Sequence, residues 1–198
     1  MVPKPVIMSE IGEYRRLVDV DEIGRRAFAN NAFDGILTMI GVLMGSLVSG
    51  IREPRVVLST GLATCMAMGI SGAWGAYMAE SAERKHSLQE LEHAMLRDLS
   101  DSKQARAARF ATIAVASIDG LSPLVAGMIT MLPFIIPGMF SDIIHNYVAS
   151  LAMGFAGLFA LGVFLARVAK DNILSSGLRM VLAGVVCVGL GFLLSVKS

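Results

Sequence analysis

The chain has 198 residues, of which 55% are hydrophobic and only 17% charged, with a formal net charge of +1. A soluble domain of this size is usually about one-quarter charged. Here the charges gather between long apolar runs, which excludes a soluble globular domain, and no basic face points to nucleic acid.

The first stretch, residues 1–26, carries Glu10, Glu13, Arg15, Arg16, Asp19, Asp21 and Glu22 where a secretory signal would place its apolar core, so it does not read as one. Ile7, Ile11, Tyr14 and Val18 recur at helical spacing and predict a short amphipathic helix lying on a surface. The absence of an organelle-targeting pattern favours a cell membrane.

Five segments are long and apolar enough to cross a bilayer: 27–50, 56–78, 110–136, 147–166 and 178–196. The expected fold is therefore all-α, a polytopic membrane protein of five transmembrane helices with a short cytosolic helical segment between the second and third. Residues 27–80 would hold the first two spans, 81–108 the cytosolic segment, and 109–198 the remaining three. Lys4, Arg15, Arg16, Arg25 and Arg26 precede the first span. Arg84, Lys85, Arg97, Lys103, Arg106 and Arg109 follow the second, and Arg167, Lys170 and Arg179 follow the fourth. The opposite side has only Arg52, Arg55 and Lys197. The positive-inside rule then puts the N-terminus in the cytosol and the C-terminus outside.

Within the first span, Asp34 lies roughly 10 Å inside its cytosolic end at 1.5 Å per residue. A carboxylate at that depth costs about 3 kcal/mol and usually marks an ion or proton path. Asp119, in the third span, shares the Asp-Gly dipeptide and the direction of entry with Asp34, a weak internal echo. Satisfaction by neighbouring Asn30, Asn31 or Ser117 is the alternative reading of both acids. Pro123 cannot donate to the carbonyl four residues back, which is that of Asp119, so a kink beside the carboxylate is expected.

The second span leaves the membrane through Glu80 and continues into two Glu-x-x-His pairs, Glu83/His86 and Glu90/His93. Seven-residue spacing places all four side chains within roughly 80° of arc on one helix face. Carboxylate and imidazole in that pattern suit divalent iron, manganese or zinc, the alternative being a solvated polar face. Met39 and Met68 lie at depths where a thioether could meet Asp34. Most of the 13 methionines read as packing residues, and Cys65 and Cys187 read as buried thiols. Gly41 and Gly45, with Gly69, Gly72 and Gly75, form small-residue stripes that let helices approach closely, within one bundle or across a dimer. No nucleophile and base stand out, so an enzyme is not expected, nor a prosthetic group.

Phe33-Asp34-Gly35, Ser71-Gly72-Ala73-Trp74-Gly75-Ala76-Tyr77 and Leu132-Pro133-Phe134, in this order over five spans, resemble the vacuolar iron transporter-like family in its archaeal and bacterial form. The resemblance implies a homodimer exporting Fe²⁺ or Mn²⁺ from the cytosol in exchange for protons, with Asp34 at the pore aspartate position. The family's methionine and glutamate in the second motif are Gly72 and Ala76 here. The candidate metal residues are thus Asp34, Glu80, Glu83, His86, Glu90, His93 and Asp119. The expected partners are divalent metal ions, protons, membrane lipid and a second copy. A transporter of another cation, or a membrane-embedded sensor, store or scaffold without transport, remains the alternative.

Overall fold

The computed structural model describes residues 20–195 except 101, 137–139 and 141. The amphipathic helix expected around Ile7–Val18 lies outside the described residues. Among them the chain forms α1 (Val20–Val48), α2 (Pro54–Met95), α3 (Lys103–Thr130), α4 (Leu132–Ile135), α5 (Ile143–Ala169) and α6 (Ile173–Ser195). All but α4 are long and apolar enough to span a membrane, giving the five spans expected. The protein is an all-helical membrane protein.

The helix ends follow from local chemistry. After α1, Gly50 takes φ +71, and the Ile51 N–H donates to the Ser46 carbonyl at 3.0 Å, the closing bond of a Schellman turn. Pro54 then occupies the first turn of α2, where a missing N–H costs nothing. Helix α2 runs for 42 residues without a break, so span and polar continuation are one rod. It stops where Leu96 turns left-handed at φ 50, and α3 restarts with Ser102 capping the Ala105 N–H at 3.1 Å. Residues 81–108, read from sequence as one helical segment, thus divide into the end of α2, a turn, and the start of α3. The third span likewise ends earlier than expected, at Thr130, because Pro133 starts the separate turn α4.

The described residues form two compact units, 20–28 with 70–121, and 29–69 with 122–195. Two buried apolar clusters lie in the second unit. Met39, Leu43, Val57, Cys65, Met131, Phe134 and Tyr147 form one buried cluster, and Ala32, Ile36, Ile40, Met44, Leu158 and Leu161 another. Lipid is as apolar as these side chains, so close packing rather than water exclusion holds the helices together. Gly162 shows this: a Cβ there would lie 2.6 Å from the Ser176 carbonyl oxygen, so α5 and α6 touch backbone to backbone. Tyr147 is fully buried and ties α5 to the α1–α2 turn, its hydroxyl donating to the Ile51 carbonyl at 3.0 Å.

Candidate functional site

Asp34 stands midway along α1, 14 residues from either end, or roughly 21 Å of helix. The opposite side of α1 is buried through Ala32, Ile36, Met39 and Ile40, which forces residues at four-residue steps onto the other face. Arg26, Asn30, Asp34 and Thr38 are accordingly all exposed. A spanning helix thus presents a polar stripe, with a carboxylate at its centre, on the surface of the single chain.

Gly35, the neighbour of Asp34, is fixed by close approach. A Cβ there would sit 2.5 Å from the Pro123 carbonyl oxygen and 2.6 Å from its Cα. Only glycine lets α1 and α3 meet at this point. The Asp-Gly dipeptide therefore combines a polar group on one face with a backbone contact on the adjacent one.

In the other unit, Asp119 is half-buried on α3, and Glu80 stands on α2. Glu80 pairs with Arg84 at 2.9 Å. The ion-pair partner of Glu80 is thus an arginine that sequence reasoning used only to orient the chain. The signal for Arg84 was its i+4 spacing from Glu80. Helix α3 continues through Pro123 to Thr130.

Glu83, His86, Glu90 and His93 all lie exposed along α2. The contact formed crosses between the two Glu-x-x-His pairs: His86 Nδ1 lies 3.7 Å from Glu90 Oε1, with both side chains more than 70% exposed. Among the described residues, no group of three or more His, Cys, Asp or Glu side chains is assembled into a metal-binding set within the chain. Of the sulfur atoms, Met39 is fully buried with its Sδ 3.6 Å from Cys65 Sγ, and both belong to the packed core.

Residues 26–112 match the model of the VIT family, the vacuolar iron transporters. That span includes Asp34, Glu80 and the four Glu/His residues of α2, and ends before Asp119. The chain is also 28% identical over 172 residues to an uncharacterized protein of Methanocaldococcus jannaschii, covering 85% of this chain and 86% of the relative. The resemblance expected from the motifs of the first two spans is borne out by the family match.

Proposed function

We propose, from the VIT family match over residues 26–112, that this membrane protein carries a divalent metal ion, Fe²⁺ or Mn²⁺, out of the cytosol in exchange for protons. The observation that carries this reading is the exposed position of Asp34 at the middle of a membrane-spanning helix. Lipid would oppose that carboxylate by about 3 kcal/mol. A second copy related by a twofold axis would cover it and bring a second Asp34 to the same axis, since a twofold interface is self-complementary. Two carboxylates supply hard oxygen ligands of the kind that Fe²⁺ and Mn²⁺ accept.

The polar face of α2 would load this path. Glu83, His86, Glu90 and His93 are exposed to solvent, which suits capture and release better than storage. Glu80, one turn beyond Ala76, supplies a carboxylate near the position where the family carries its glutamate. Protons compete with metal for carboxylates, so protonation from outside would discharge the ion and reset the site.

The test is metal entry into proteoliposomes under an imposed pH gradient, with Fe²⁺, Mn²⁺, Co²⁺ and Ca²⁺ in competition. Gradient-dependent flux of Fe²⁺ or Mn²⁺ that Ca²⁺ fails to displace is the expected result. Metal binding without any vectorial movement would favour a sensor or store instead.

A further inference from the structure

A cleft of about 310 Å³ opens between α2 and α3, just where α2 emerges from its apolar stretch. Among the described residues its charged lining is basic: Arg84, Lys85 and Arg109, accompanied by the hydroxyls of Ser81 and Ser100. Arg84 is satisfied only in part. One terminal nitrogen holds Glu80, but its Nε–H is buried with no hydrogen-bond partner among the described residues. A buried guanidinium N–H without an acceptor is costly, and natural structures rarely keep one without a ligand, ion or water to meet it. Lys85 and Arg109 are exposed, and no carboxylate among the described residues pairs with either. Glu80 offsets one of the three positive charges, and the other two line the same cleft with no carboxylate partner among the described residues.

Depth identifies the ligand chemistry. Ser81 lies 27 residues beyond Pro54, or roughly 40 Å along α2, past a hydrocarbon core of about 30 Å and therefore at headgroup level. Basic pockets between membrane helices at that level suit anionic phosphate groups, with arginine supplying a planar fork and lysine a point charge.

We propose that this cleft binds a phosphate group, with Arg109 and Lys85 as its charge contacts and the Arg84 Nε–H as a donor. A phosphodiester of an anionic lipid and a soluble phosphate share this chemistry, and the test separates them. The full chain in detergent is titrated with dioleoylphosphatidylglycerol, dioleoylphosphatidylcholine or inorganic phosphate while its thermal unfolding midpoint is followed. A saturable rise with phosphatidylglycerol alone assigns the site to lipid, and a rise with inorganic phosphate as well assigns it to phosphate from either source. In the Lys85→Gln/Arg109→Gln variant the concentration for half-maximal effect should rise about 10- to 30-fold. Equal responses to the two lipids with none to phosphate, or an unchanged titration in the variant, would overturn the proposal. The wild-type arms decide the matter alone if the double variant does not fold.

Discussion

Gly72 on α2 lies directly against the main-chain carbonyl of Asp119 on α3: a Cβ at Gly72 would meet that oxygen at 2.5 Å and the carbonyl carbon at 3.1 Å. The resembled family carries a methionine at this position. Here the space for such a side chain is filled by the backbone of the neighbouring helix. That carbonyl is also the one to which Pro123 has no N–H to offer. The missing methionine is therefore a packing feature, and close approach near Asp119 takes its place.

This predicts that Gly72→Ala destabilises the protein by about 2–3 kcal/mol, since backbone cannot yield as a flexible side chain would. Gly75, one turn on, has nothing within 4 Å of its would-be Cβ. Gly75→Ala should change stability by at most about 1 kcal/mol, in the stabilising direction. Thermal unfolding of the two variants in one detergent checks the contrast.

The exposed stripe on α1 predicts a contact between copies. Thr38 lies one turn from Asp34 on the same face and is exposed. Thr38→Cys, on a background with Cys65 and Cys187 replaced by alanine, should form a disulfide-linked dimer in native membranes upon mild oxidation. Cysteine at buried Ile36 should not. Equal cross-linking at both positions, or at neither, would count against a dimer closed through α1.

Tyr147→Phe removes the hydroxyl that holds the Ile51 carbonyl and leaves the ring against Phe134, at a centroid distance of 5.1 Å. The expected loss is about 1 kcal/mol of stability. Metal flux per folded molecule should be unchanged, because the contact anchors a turn and touches none of the proposed ion ligands.

The turn between α2 and α3 should respond to acid. The Asp98 carboxylate accepts the Ser100 backbone N–H at 2.8 Å, which holds it below the usual carboxylate range. Its support is therefore complete above the ordinary aspartate value and is lost as pH falls through the lowered one. Hydrogen exchange across residues 96–102, corrected for intrinsic rates, should be faster in Asp98→Ala than in wild type at neutral pH. The two should converge only in acid.

The spans were legible because twenty apolar residues in a row have few other uses, and Asp34 stood out because lipid penalises charge. The continuation of the second span into the Glu-x-x-His pairs was legible, and α2 carries both in one helix. What escaped was the meaning of the basic residues. Arg84 and Arg109 read from sequence only as topology markers, because their convergence on one cleft depends on how α2 and α3 pair. The role of Gly72 was hidden for the same reason. A glycine in a membrane helix announces close approach without naming the neighbour, and only the fold supplies Asp119. The third span ends before its apolar run does, because Pro133 lies at the start of a separate turn.

The central claim is that Asp34 binds the transported metal, and flux through Asp34→Asn proteoliposomes tests it most directly. The substitution keeps size and polarity while removing the charge, so folding and dimer formation should persist. Losing even an outer partner of a metal site costs about 10- to 100-fold, so losing a ligand should lower Fe²⁺ or Mn²⁺ flux at least about tenfold. Wild-type flux through folded, dimeric Asp34→Asn protein would contradict the account.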